Sequence, residues 1–167
     1  MLDLDVDRVR FPDGSVGELE IIRHPGASAI VALLDPSDAA DPRVLLIRQY
    51  RYATDGFIYE IPAGRLDTGE SPESCAGREL REETGYTAEK LERVFSMYTT
   101  PGFTDERIHV FLATGLTPGA SQREPDEFVE VMPTPLSQVL AMIRDNVLTD
   151  AKSALGILYV AGYVLGA

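Results

Sequence analysis

Glu79, Glu82 and Glu83 lie close together in the run Arg78-Glu79-Leu80-Arg81-Glu82-Glu83-Thr84-Gly85. On a helix Glu79 sits three residues from Glu82 and four from Glu83, so all three project from one side. Like charges at that spacing cost an isolated helix a few tenths of a kcal/mol each. Something positive should offset them, and oxygen ligands alone suit Mg²⁺ or Mn²⁺. Arg78, four residues before Glu82, can lock the orientation of a carboxylate. Glu70 precedes the helix and reaches the cluster only if the 64–69 loop folds back. The competing reading is a solvated charged face, the usual fate of Glu-rich helices.

The elements that must position these groups follow from punctuation and periodicity. Ser71 is a good N-cap, Pro72 suits the first helical position and Gly85 suits the C-terminal cap, which predicts a helix over 72–84. Two strands, at 4–11 and 18–23, flank the turn signal Pro12-Asp13-Gly14-Ser15 and form a hairpin. Further strands are expected at 27–34, 44–49, 57–61, 94–98, 108–113 and 128–132. A surface loop is expected over 35–42. Helices are expected at 135–145, with Leu136, Val139, Leu140 and Ile143 on one face, and at 151–164. The last is apolar on most sides and should be buried in the core or in a subunit contact. Strands and helices mix without regular βαβ alternation, which indicates a mixed α/β sandwich.

Composition narrows the function classes. The chain has 167 residues, suited to one domain with a small appendage, and a net charge of −12. That charge opposes broad binding to nucleic acid or anionic membranes, although a metal or local arginines can reverse the field inside a cleft. A single cysteine, Cys75, excludes an internal disulfide and suits a reducing, cytoplasmic setting. The acidic N-terminus lacks the pattern of a signal peptide, and the longest apolar stretch, 154–167, is too short to span a bilayer.

Gly64, Glu70, Arg78, Glu79, Leu80, Glu82, Glu83, Gly85 and Tyr86 all fit one pattern, G-x5-E-x7-R-E-U-x-E-E-x-G-U, in which U is a bulky apolar residue. Tyr86 departs slightly, being aromatic rather than aliphatic. The pattern resembles the signature of the Nudix hydrolases, and nine specified positions over 23 residues make it highly specific. Pro101, sixteen residues after Gly85, resembles the marker of the ADP-ribose pyrophosphatase branch. Arg48-Gln49-Tyr50-Arg51, Glu60-Ile61-Pro62-Ala63-Gly64 and His24-Pro25-Gly26-Ala27 also resemble that branch. The resemblance implies an α/β/α sandwich with a mixed sheet over residues 27–167, preceded by an N-terminal hairpin over 1–26 that serves dimerisation. It implies metal-dependent hydrolysis of ADP-ribose to AMP and ribose 5-phosphate, with GDP-mannose or ADP-glucose as alternative substrates. An oxidised nucleoside triphosphate is a weaker alternative, and a non-catalytic nucleotide sensor a remote one.

By the same resemblance Glu79 and Glu83 are the main metal ligands, with the backbone carbonyl of Ala63. Glu82 is either a ligand of a second metal or an orienting carboxylate. Arg48 and Arg51 are candidate phosphate or ribose contacts, since arginine pairs bidentately with phosphate and keeps its charge. Glu106 is a candidate for binding substrate or supporting the metals, and Phe103, a candidate substrate contact, could stack on a base, as could Tyr50 and Tyr52. The general base is expected on the 122–127 loop, with Glu127 favoured and Glu124 and Glu130 as alternatives. His24 and His109 read as structural, and Cys75 as a small core residue. The partners expected are a nucleoside diphosphate derivative and a second copy of the chain.

Overall fold

The computed structural model describes residues 3–120 and 129–166. A hairpin comes first, β1 (Asp3–Arg10) and β2 (Val16–Arg23), paired antiparallel. β3 (Ala27–Ala32) and β4 (Arg43–Arg51) are the two central strands of the body. β5 (Gly56–Glu60) and β6 (Ala63–Arg65) follow, then α1 (Pro72–Thr84). β7 (Tyr86–Tyr98) and β8 (Arg107–Pro118) form a long antiparallel pair. β9 (Val129–Pro135), α2 (Leu136–Arg144) and α3 (Ala151–Tyr159) complete the fold, and α3 continues as a π-helical segment over Val160–Leu165.

A four-stranded sheet has the order β6-β3-β8-β7, with β3 and β8 parallel, and a three-stranded antiparallel sheet has the order β5-β4-β9. Alternation along the strands assigns each side chain to one of two helical layers. Ile30, Ala32, Leu45, Phe111 and Ala113 pack with Ala76 and Leu80 of α1. Their neighbours Val31, Leu33, Val44, Leu46 and Val110 pack on the other side with Val139 of α2 and Ile157 of α3. Each such aliphatic side chain contributes about 1.5–3 kcal/mol on burial. The result is the expected α/β/α sandwich with an N-terminal hairpin.

Three elements depart from expectation. β7 begins at Tyr86 rather than near 94, because one face of its first half is solvent-exposed and its polar residues mask the strand period. β6 is only three residues long, too short for periodicity to reveal. The final helix ends as a π segment with Tyr163 and Val164 exposed, so its apolar surface is only partly used within the chain.

Candidate active site

α1 is capped as its sequence dictates. Ser71 Oγ accepts from Ser74 N at 3.1 Å, Pro72 opens the helix, and Gly85 at φ 78° donates its N–H to Arg81 O. Its buried stripe is Cys75, Ala76, Glu79, Leu80, Glu83 and Thr84. Two of the three glutamates therefore sit on the core side. Glu79 is 9% exposed and Glu83 2%. A solvated charged face is excluded for this pair, since glutamate is almost never buried without a partner.

The partners come from α1 and from the loop that folds back over it. Arg78 grips both oxygens of Glu70 at 2.9 Å, and also donates to Glu79 at 2.6 Å, to Glu82 at 3.1 Å and to the Arg65 carbonyl at 3.0 Å. The hydrogen bonds to Glu70 first, then those to Glu79 and Glu82, outweigh burial and hold the Arg78 guanidinium far above its usual range, so it is permanently charged. Glu70 in turn is drawn down to about 2, chiefly by Arg78 and further by the Asp67 N–H. Glu83 accepts from Ala63 N at 2.9 Å, which ties the helix to the start of β6.

A second network holds that corner from behind. Glu60, 2% exposed, takes Arg51 at 2.6 and 3.1 Å and also pairs with Lys152. Burial raises the Glu60 carboxyl pKa, but Arg51 and Lys152 outweigh it and the net shift is downward. Asp150 caps α3 through Ser153 N at 3.0 Å, and Ser153 Oγ accepts from Ile61 N at 2.8 Å. Both ends of the Ile61-Pro62-Ala63 corner are thus pinned.

A cleft of about 370 Å³ opens between Gln49, Arg51, Gly64, Glu79, Glu82 and Glu83. Beside it lies a cavity of about 830 Å³ whose walls include Arg51, Ala63 and Gly64 as well, together with His24, Tyr98 and Glu106. The acidic cleft suits a divalent cation and the larger cavity suits an organic ligand. The donor chemistry fits a cation, being entirely oxygen. Gly64 leaves the room that the Glu79 carboxylate occupies, since a β-carbon there would overlap all of its terminal atoms. Among the described residues no three His, Cys, Asp or Glu side chains converge into a finished ligand cage. Instead the Arg78 guanidinium stands among Glu70, Glu79 and Glu82 as the local positive charge. A cation would recruit Glu79 and Glu82 by turning them from Arg78.

The other sequence candidates separate clearly. Glu106 lines the larger cavity, accepts from Thr99 Oγ1 at 2.8 Å and lies 3.5 Å from His24 Nε2. Arg51 borders both cavities. Arg48 lines neither of them. It lies over the Phe57 ring at 4.2 Å and 3.6 Å from Glu130. Phe103 is exposed and also lines neither, while its carbonyl accepts from Ile22 N and anchors the loop to β2. Tyr50 packs edge-on to Phe57, and Tyr52 is exposed. Glu124 and Glu127 lie outside the described residues. Cys75 is buried, its thiol pushed up to about 11 by burial. His109 pairs with Ser96 at 2.7 Å.

Reasoning from sequence missed His24, Tyr98 and Lys152 as cavity residues. The His24-Pro25-Gly26-Ala27 run was a signal for the first. Tyr98 and Lys152 carried none, because only the packing of β7 and α3 brings them to the cavity.

The chain has matches among known proteins. The NUDIX domain matches residues 23–153. An ADP-ribose pyrophosphatase of Bacillus subtilis (strain 168) is 44% identical over 161 residues, 95% of this chain and 84% of the relative. A methanol dehydrogenase activator of Bacillus methanolicus is 38% identical over the same shares. A GDP-mannose pyrophosphatase of Cronobacter sakazakii (strain ATCC BAA-894) is 39% identical over 153 residues, 81% of this chain and 77% of the relative. The crystal structure of an ADP compounds hydrolase superposes with a TM-score of 0.78 at 21% identity, covering 99% of this chain and 95% of that one, which shows a shared fold. With its buried Glu79 and Glu83, its Arg78 clamp and a family match over most of its length, the chain belongs to the NUDIX family.

Proposed function

We propose that the protein hydrolyses the diphosphate linkage of ADP-ribose to AMP and ribose 5-phosphate, using Mg²⁺ or Mn²⁺. The observation that carries this reading is the junction of the two cavities at Ala63 and Gly64, which sets a ligand-sized space against the buried carboxylates of α1. Similarity to ADP-ribose pyrophosphatases supports the substrate. Similarity to GDP-mannose pyrophosphatases favours a sugar nucleotide as the second reading.

A divalent cation, when bound, supplies positive charge for the diphosphate oxygens and lowers the pKa of bound water. Glu79 and Glu83, the Ala63 carbonyl and Glu82 would hold it. Before a cation binds, Arg78 orients Glu79 and Glu82 by charged hydrogen bonds. Arg51 presents a cation to the phosphates at the border of the cavities. Glu106 and His24, neighbours in the lining of the larger cavity, bind the distal part of the substrate by hydrogen bonds. Glu127 takes the proton of the attacking water, with Glu124 as the alternative, since Glu130 is exposed beside Arg48 and lines neither cavity. Phe103 is exposed and Arg48 half-buried over Phe57 in the single chain, and both serve the site through a second copy.

The proposal includes a homodimer. Leu4, Val6, Val16 and Leu19 on the hairpin and Leu155, Leu158, Tyr163 and Val164 on the last helical segments are exposed apolar surface of the kind that subunits cover. Among the described residues no helix is long and apolar enough to cross a membrane. A cytoplasmic setting suits the single buried cysteine.

The decisive experiment incubates the protein and Mg²⁺ with ADP-ribose, GDP-mannose, ADP-glucose and an oxidised nucleoside triphosphate, reading products by chromatography. Release of AMP from ADP-ribose, fastest of the set, is the expected result. Near-normal turnover by Glu83→Gln would overturn the metal-ligand assignment.

A further inference from the structure

Alternation along β4 places Leu45, Ile47, Gln49 and Arg51 on the face that looks toward α1. Leu45 packs with Ala76 and Leu80 of that helix, and Ile47 is fully buried. At the level of the carboxylates the row turns from apolar to polar at Gln49. Gln49 is 8% exposed and lines the acidic cleft with Glu79, Glu82 and Glu83. Among the described residues its Oε1 has no hydrogen-bond partner.

A buried carbonyl oxygen without a donor is a rarity that calls for an explanation. The neighbouring donors are engaged elsewhere. Arg78 serves Glu70, Glu79, Glu82 and the Arg65 carbonyl, and Arg51 serves Glu60. Across the cleft stand carboxylates, which only accept. A buried acceptor on a residue that lines a cleft of acceptors calls for a donor, or for water carried by a cation, to satisfy it.

We propose that Gln49 Oε1 belongs to the cation site, as a neutral oxygen acceptor for a hydrogen bond from water held by the divalent cation. The inference rests on the cation-dependent reading above. It explains why β4 accepts a polar side chain where packing alone would favour a third aliphatic one. The carboxamide also spares the metal-free fold, because it adds an oxygen without adding a further like charge to Glu79 and Glu83.

The test is calorimetric titration of Mn²⁺ into the wild type, Gln49→Met, Gln49→Glu and Glu83→Gln, with thermal midpoints taken without metal and with Mg²⁺. Gln49→Met keeps the length and removes the oxygen. It should bind Mn²⁺ about tenfold more weakly, the loss typical of a group that supports metal ligands. Its metal-free midpoint should not fall, since the orphaned acceptor is gone. Gln49→Glu should bind Mn²⁺ at least as tightly as the wild type and have a lower metal-free midpoint. Unchanged Mn²⁺ affinity in Gln49→Met overturns the proposal and leaves Gln49 bonded to an ordinary buried water. If Gln49→Met does not fold, weaker Mn²⁺ binding in Gln49→Glu overturns it instead. Failure of the wild type to bind Mn²⁺, or unchanged binding in Glu83→Gln, overturns the cation reading itself.

Discussion

Gly64 and Glu79 share a space that admits no β-carbon, because a methyl group on Gly64 would overlap the carboxylate of Glu79. The constraint is steric and local. Gly64 lies in β6, paired with Ser28 of β3, so its backbone has little freedom to retreat. Gly64→Ala should therefore leave the fold intact and displace the Glu79 carboxylate. Displacing a catalytic group by about 1 Å can cost 100-fold in rate. The expected result is a loss of about that size in kcat/KM with an unchanged circular dichroism spectrum. Wild-type kcat/KM in this variant would remove Glu79 from the site.

Arg78 acts as the internal counter-charge of the cluster. Removing it leaves Glu70, Glu79 and Glu82 to repel one another, with hydrogen bonds to charged groups lost at about 1.5–3 kcal/mol each. Arg78→Gln should melt at a lower temperature than the wild type in chelator. Mg²⁺ should then raise its midpoint by more than it raises that of the wild type, because in the variant the cation relieves repulsion that Arg78 otherwise relieves. Equal Mg²⁺ shifts in the two proteins would show that guanidinium and cation do not compete for the same carboxylates.

Glu70 gives this linkage a pH signature. Its two hydrogen bonds from Arg78 hold its carboxyl at about 2, against 4.5 when unfolded. A depressed folded pKa contributes stability that is present above the unfolded value and is lost as pH falls toward the folded one. The wild type should thus exceed Glu70→Gln in stability at neutral pH by about 1 kcal/mol, the order expected for a well-aligned but partly solvated pair. The gap should close between pH 4.5 and 2. Urea denaturation of both proteins across that range checks the sign, and a gap independent of pH would mean that Glu70 acts by shape alone.

The parts of the site legible in the sequence are those carried by one helix and its caps. Glu79, Glu82, Glu83 and Arg78 lie on a periodic element whose ends Ser71 and Gly85 mark, so spacing alone brings them together. The hairpin and the core strands were readable for the same reason, each having a clear turn or an apolar run. The pairing of Lys152 with Glu60 was not, because 92 residues separate them and Lys152, unlike Glu60, belongs to no motif. Their meeting depends on α3 packing behind β5. The burial of Gln49 was hidden for a different reason, although its run resembles the branch. A glutamine at the end of an apolar strand looks like an edge residue until the tertiary fold buries it.

Ser153 tests whether this long-range packing matters to the site. Its hydroxyl accepts from Ile61 N and donates to Asp150, joining the N-terminus of α3 to the corner that carries Ala63. Ser153→Ala strands a buried backbone N–H, which costs about 1–3 kcal/mol. The loss should appear in the denaturation midpoint and in kcat, through a loosened Pro62-Ala63 segment, with KM changed less. Ser153→Thr keeps the hydroxyl and should recover part of both. A role in packing alone would lower stability in Ser153→Ala without touching kcat, and that outcome would separate the corner from the chemistry.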